Sequence, residues 1–525
     1  MGPSARCGSS HFEHLRVTRL GAIAKAFQFC KFIATSKVEG DWSFLEAALR
    51  PDFGWKCEIG GAAQRASLKP EFDLWGERCR KKDSNRRTSW SVVMMNLLIR
   101  GVRIVDPASQ KGAVSDSTLP VADIHLKQGK IAEIGTNLSI PNAEVLEGKG
   151  LYLFPGLIDL HTHFREPGFE SKETIATGAR AALKGGFVAS VSMPNTLPPC
   201  DHQSVIDNII RKAKEVPYHI FPSGTISKGR EGKELSEMAD LKQAGIVAVT
   251  DDGDWVQDSL LMRRAMEYAS MLDLIVMSHC EDKKLSGQGV MNESLMSTKL
   301  GLHGMPAASE EVAVARDIEL VRLTGARLHL CHLSTARSME LVRRAKKEGL
   351  SVTAEVTPHH LTLTDDLLEG YDTHFKMNPP LRLAEDVKAL RQGLKEGIID
   401  CIATDHAPHT DEDKMQELDH ASFGVTGLET ALGIALTELF HKEKWPLIEI
   451  VRVMSLNPAR ILNLGPQFGA ITKGAEANLT LVDLEREWVV KTEEFESKSK
   501  NSCFLGRKLK GKVVATVCAG KVWRF

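Results

Sequence analysis

The chain has 525 residues, 42% of them hydrophobic and 26% charged, with 67 Lys and Arg against 68 Asp and Glu. This near-neutral balance gives no electrostatic reason to expect nucleic acid or an anionic membrane, and no apolar run reaches the ~18–20 residues that span a bilayer. The length suits a barrel of roughly 250–400 residues with a smaller module beside it.

The first 93 residues stand apart. They hold 16 Lys and Arg against 10 Asp and Glu, whereas the remainder holds 51 against 58. Residues 1–94 are therefore read as an atypical N-terminal extension. A targeting segment would be basic in this way, but no cleavage site is recognisable, and Arg6 stands where myristoylation wants Ser or Thr. A partner-binding segment is a second reading. The preferred one is a start placed too early, with Met94 or Met95 opening MNLLIRGVRIVDP. Ten cysteines without a CxxC pair argue for reduced thiols and a cytoplasmic setting.

From Met95 the pattern becomes regular. Leu97–Val105, Ile124–Lys127 and Lys130–Ile134 alternate as strands around tight turns. Leu479–Asp483, Trp488–Lys491, Val513–Cys518 and Lys521–Trp523 match them at the other end. Residues 95–150 and 466–525 are thus expected to build one small β-sandwich from both termini.

Between them, residues 151–465 alternate eight short apolar runs with amphipathic stretches. The runs are LFPGLIDLHTH, FVASVSMPN, YHIFPSGT, IVAVTDD, LIVMSHCE, LHLCHLS, SVTAEVTPHH and DCIATDHAPH. Helices are expected at 173–184, 259–271, 309–324 and 336–347. Eight buried strands alternating with helices predict an α/β fold, a closed (β/α)8 TIM-like barrel. An open doubly wound sheet would want a glycine-rich phosphate loop after its first strand, and none is present.

Nearly every run ends in a polar or ionisable residue, and the C-terminal strand ends of such barrels carry the active site. The first run contributes His161 and His163, whose side chains share one side of an extended strand. The second ends in Asn195, the fourth in Asp251 and Asp252, the fifth in His279 and the sixth in His332. The last brings Asp405, His406 and His409. A lone buried histidine is usually a hydrogen-bonded core residue, and a strand-end Asp is usually a cap. So many converging at one face argue for metal. Six ligands suffice for two ions, and a carboxylate such as Asp405 beside an activated water can shuttle protons. Cys280 and Cys331 are expected to face the core, and His359 and His360 to pack behind the site. His303, His374 and His420 receive no role.

These blocks carry a resemblance. PGLIDLHTHFREPG, MPNT, VTDDG, SHCED, HLCHLST, EVTPHHL, NPPLR, ATDHAPH and FGVTGLETAL are similar, in order, to those of dihydroorotases of the amidohydrolase superfamily, of the bacterial class I type. The resemblance implies zinc-dependent interconversion of N-carbamoyl-L-aspartate and (S)-dihydroorotate in de novo pyrimidine synthesis. It implies one or two Zn2+ per subunit, two being favoured. His161, His163 and Asp405 would hold one, His279 and His332 the other, and Asp252, chosen over Asp251 from the TDDG pattern, would bridge them. Many relatives bridge with a carboxylated lysine, but Thr250-Asp251-Asp252-Gly253 offers none. Asp405 would be the catalytic acid and base. His163, Arg165, Asn195 and His409 would contact the substrate and its carboxylate, and Asn378, Phe423 and Gly424 the ring. The resemblance also allows a homo-oligomer and association with aspartate carbamoyltransferase. Rival readings are a hydantoinase, dihydropyrimidinase or allantoinase, which need not grip a carboxylate, and a non-catalytic structural partner of the transferase.

Overall fold

The computed structural model describes residues 96–110 and 118–525. The expectations for residues 1–94, including the choice of starting methionine, lie outside the described residues.

Eight parallel strands form the centre: β1 (Leu157–Thr162), β2 (Phe187–Ser192), β3 (His219–Gly224), β4 (Ala248–Val249), β5 (Ile275–Ser278), β6 (Leu328–Leu330), β7 (Val352–Val356) and β8 (Cys401–Ile402). They pair in sequence order from β1 to β8. The ring closes where Thr162 bridges His406 in parallel and the His163 amide donates to the His406 carbonyl at 2.9 Å. Every residue of β1 and β2 is buried, as expected for a sheet covered on both faces, which is why these runs read as continuously apolar.

The covering helices include α1 (Ile175–Lys184), α2 (Gln203–Ala213), α3 (Met238–Ala244), α4 (Ser259–Met271), α5 (Ala308–Thr324), α6 (Ala336–Lys347) and α7 (Ala384–Lys395). Their starts follow from side chains that capture free amides. Thr174 and Thr177 form a capping box on α1, Asp258 caps α4 and Thr335 caps α6.

The two ends of the described chain share a second, eight-stranded sheet. Asn96–Ile104 pairs with Val121–Lys127 and Tyr152–Pro155, and the latter pairs with Leu479–Val489. Its core of Leu97, Ile99, Ile124, Leu126, Leu479 and Val517, among others, is separate from that of the barrel.

Two strand expectations are corrected. LFPGLIDLHTH is two strands, because Tyr152–Pro155 belongs to the terminal sheet and β1 begins only at Leu157. Gly156 lies between them, where a Cβ would stand 2.4 Å from Val188. Leu479–Asp483 and Trp488–Lys491 are instead one strand, Leu479–Val489, with a register shift between Asp483 and Glu487. The bulge leaves residues 484–486 without ladder partners, and pairing resumes at Glu487.

Candidate metal centre and substrate cavity

His161 and His163 stand at the end of β1, two residues apart on one side of the strand. The Nδ1 atom of His161 lies 2.8 Å from Glu355 Oε1, and Nδ1 of His163 lies 2.8 Å from Asn195 Oδ1. In each ring that contact takes the Nδ1 proton, so Nε2 is left with its lone pair. Both lone pairs point at carboxylates. His161 Nε2 is 3.1 Å from Asp252 Oδ1 and 3.5 Å from Asp405 Oδ1, and His163 Nε2 is 3.1 Å from Asp405 Oδ1.

His279 and His332 come from β5 and β6, with Nδ1 of the first 2.9 Å from Nε2 of the second. Asp252 Oδ1 stands 3.8 Å from His279 Nδ1 and 3.9 Å from His332 Nε2. Glu281 Oε2, 3.1 Å from His279 Nε2, takes that ring's single proton, so Nδ1 keeps its lone pair toward the cluster. Two groups of donor atoms result, His161 with His163 and Asp405, and His161 with Asp252 and His332, each within 4.8 Å of one another.

Of the two adjacent aspartates, Asp252 faces the cluster. Asp251 turns away to accept from the amides of Ile226 and Ser227 at 2.8 and 3.1 Å, and from the Ser227 hydroxyl. Arg165, His332 and Asp405 have φ of 60°, 33° and 48°. Non-glycine residues rarely adopt this left-handed region, which costs of the order of 1–3 kcal/mol each and recurs where a side chain must be aimed at a site.

The electrostatics favour a cation. Burial alone would raise both carboxyls, but the imidazoles, His161 foremost, hold Asp252 and Asp405 well below the usual carboxylate range. Burial likewise opposes a proton on His161, yet Asp252 and Asp405 draw its pKa well up. His161 Nε2 and Asp252 Oδ1 are buried and close, but neither makes a hydrogen bond of acceptable geometry. Such a facing pair of nitrogen and carboxylate oxygen, ringed by further imidazole and carboxylate donors, fits a divalent ion of the zinc type.

The same residues line one cavity of about 330 Å³. His163, Asp252, His279, His332 and Asp405 share it with Arg165, Asn195, Asn378, His409, Phe423 and Gly424, while His161 lies buried beneath. Arg165 gives its Nε hydrogen to Pro408 O at 3.2 Å and places Nη2 3.2 Å from His409 Nε2. Asn378 donates to Glu281 Oε2 at 2.9 Å.

Sequence reasoning missed several residues that shape this place. Glu355 and Glu281 orient ligand-type histidines. Asp159 accepts from the amides of His161 and Thr404 at 3.0 and 3.1 Å, tying β1 to the loop after β8. Asn501, from the segment joining the last two long strands, accepts from the His409 amide at 3.1 Å and donates to Gly424 O at 3.1 Å. A carboxylate inside an otherwise mostly apolar strand was the available signal for Glu355 and for Asp159; Glu281 and Asn501 had none. Cys331 is buried, with its sulfur in a group with His161 and Glu355. His360 is held by Thr357 Oγ1 and Pro379 O at 2.8 and 3.0 Å, and the buried Nε2 of neighbouring His359 has no partner. His374 pairs with Asp372.

Barrel and cluster together define a metal-dependent hydrolase of the amidohydrolase type. Solved structures agree on the fold: an L-hydantoinase (dihydropyrimidinase) from Arthrobacter aurescens superimposes with a TM-score of 0.72 at 25% identity, covering 82% of this chain and 96% of that one. A dihydropyrimidinase from Brevibacillus agri gives 0.69 at 23% identity, covering 82% and 95%. A family model described as dihydro-orotase-like matches residues 150–338. Proteins named dihydroorotase from Pelotomaculum thermopropionicum and Carboxydothermus hydrogenoformans are each 50% identical over 428 residues, 82% of this chain and 98% of theirs. One from Syntrophus aciditrophicus is 47% identical over 431 residues, 82% and 99%. The chain belongs to the dihydroorotase family.

Proposed function

We propose that the protein interconverts N-carbamoyl-L-aspartate and (S)-dihydroorotate in de novo pyrimidine synthesis. The observation that carries this reading is one cavity lined both by the histidine and aspartate cluster and by the Arg165–His409 pair. A hydantoinase-like reading explains the cluster but gives Arg165 nothing to bind. A non-catalytic scaffold would have no need of a complete ligand set.

His161, His163 and Asp405 would hold one zinc ion, and His279 and His332 a second, with Asp252 between them. When bound, the ions polarise the ring amide carbonyl and make water nucleophilic at neutral pH. The rest falls to the chain. Arg165, Asn195 and His409 fix the substrate carboxylate, Arg165 through charge-assisted hydrogen bonds. Asn378, Phe423 and Gly424 flank the ring. In hydrolysis, the Asp405 carboxylate accepts the proton of the attacking water and delivers it to the departing amide nitrogen. In ring closure it removes that proton from the carbamoyl nitrogen, because both directions share a transition state.

The six cysteines among the described residues are buried and free, which supports a reducing, cytoplasmic setting. Among the described residues no helix is long and apolar enough to cross a membrane. We assign residues 95–155 and 466–525 to one β-rich module, 156–465 to the catalytic barrel, and 1–94 to an extension outside the chemistry. Self-association and pairing with aspartate carbamoyltransferase rest on family habit, and sedimentation with and without the transferase tests them.

The deciding experiment pairs elemental analysis of the purified chain with turnover of dihydroorotate and of hydantoin. Two equivalents of zinc and a clear preference for dihydroorotate are expected. A preference for hydantoin would overturn the reading.

A further inference from the structure

Lys172 lies on the loop between β1 and α1, outside the ring of residues that line the cavity. Its backbone is fixed at both ends: its amide donates to Phe169 O at 2.9 Å, and its carbonyl accepts from Ser499 Oγ at 2.6 Å. Its ammonium group sits 3.1 Å from His409 Nδ1 and 3.1 Å from Asp413 Oδ2. On the far side of the same imidazole, Arg165 Nη2 is 3.2 Å from Nε2.

Ammonium and guanidinium groups only donate, and a neutral imidazole has a single acceptor nitrogen. The two contacts therefore cannot both be hydrogen bonds, and one sets donor against donor. Asp413 cannot settle the matter by taking a proton from Nδ1, because its oxygen is 3.6 Å away, beyond hydrogen-bond reach. The Nδ1 side is closed by Lys172, whereas Arg165 and His409 both line the cavity.

We propose that Lys172 is a positioning residue that sets substrate specificity: by donating to Nδ1 of His409 it keeps the hydrogen on Nε2. That hydrogen and the Arg165 fork then face the cavity as a matched pair of donors. A carboxylate oxygen seated between them accepts from both. A cyclic amide without a carboxylate leaves the two donors opposed, which penalises the wrong substrate as well as rewarding the right one. The inference rests on the dihydroorotase reading for its substrate, while its tautomer rests on geometry alone.

Two measurements on the full-length protein test it. Nitrogen-15 NMR of histidine-labelled protein, with the His409 signals assigned from their loss in His409→Gln, should show a hydrogen on Nε2 and none on Nδ1. Kinetics of Lys172→Met should show KM for dihydroorotate raised about tenfold with kcat within about threefold, and Lys172→Arg should recover most of the loss. A proton on Nδ1 in the unaltered protein, or an unchanged KM in Lys172→Met, would overturn the inference. The tautomer can be read without any variant at Lys172, so misfolding of Lys172→Met leaves the test standing. Failure of the unaltered enzyme to turn over dihydroorotate would instead remove the functional reading, and the tautomer would still decide the role of Lys172.

Discussion

Glu355 joins two histidines inside the barrel, with Oε1 2.8 Å from Nδ1 of His161 and Oε2 3.0 Å from Nε2 of His329. It thereby decides which nitrogen His161 offers to the cavity. Carboxylates in this position tune a metal-binding imidazole, and removing one typically lowers metal affinity ~10–100-fold. Glu355→Gln should show such a fall in a zinc competition titration against a chelator. Wild-type affinity in the variant would remove Glu355 from the metal centre.

The same carboxyl predicts a dependence on acid. Burial tends to raise it, but hydrogen bonds from His161 and His329 prevail and hold it at about 2 instead of 4.5. A carboxyl depressed on folding stabilises the native state fully above its unfolded value, and that contribution is lost as pH falls through the folded value. In metal-stripped protein, the excess stability of wild type over Glu355→Gln should fall by roughly 3 kcal/mol as pH drops from about 4.5 to 2. Thermal melts across that window check it. A gap that stays constant with pH would show that the ionised form is not what stabilises.

Asp405→Asn should lower kcat by at least ~10²–10⁴-fold, since an amide cannot carry the proton between water and leaving group. Asparagine is the substitution least disturbing to the backbone, because φ is 48° here and Asn tolerates that region well. Circular dichroism should therefore be unchanged while turnover collapses. Turnover within tenfold of wild type would mean that another group moves the proton.

How far the sequence reveals this site depends on chain distance. His161 and His163 are legible because alternation along one strand brings both to one face, and the strand-end rule gathers Asp252, His279, His332 and Asp405. The choice between Asp251 and Asp252 turns on which carboxylate the amides of Ile226 and Ser227 capture, a contact from another strand end. Lys172 reaches His409 across 237 positions, and Asn501 reaches it across 92, from a loop whose composition suggests only solvent. Local pattern predicts which residues an element presents. It does not predict which distant loop supports them. The barrel was legible for the complementary reason, since its strands are buried on both faces and each announces itself alone.

Arg165→Met should raise KM for dihydroorotate by ~10–100-fold through loss of charge-assisted hydrogen bonds to the carboxylate. The metal content should not change, because the guanidinium spends its Nε on Pro408 O and turns Nη2 to His409. Unaltered kinetics would take away the main reason for preferring dihydroorotate over an uncharged cyclic amide.

Gly424 gives the sharpest steric prediction. Its φ is 122°, and a Cβ there would meet the Ala407 side chain at 2.6 Å and Nε2 of His409 at 3.4 Å. The backbone cannot retreat. The Gly424 amide donates to Lys376 O at 3.0 Å, and its carbonyl accepts from Lys414 Nζ at 3.0 Å and Asn501 Nδ2 at 3.1 Å. Relief must come from Ala407 and the loop carrying His409, so Gly424→Ala should cost about 1–3 kcal/mol and displace the imidazole from the carboxylate position. Gly349→Ala is the control: φ is 79° there, but nothing lies within 4 Å of the added methyl. Both variants should melt earlier than wild type, by backbone strain of about 1 kcal/mol in the control. Gly424→Ala alone should raise KM for dihydroorotate. Equal kinetics in the two variants would show that the loop absorbs the methyl without moving His409.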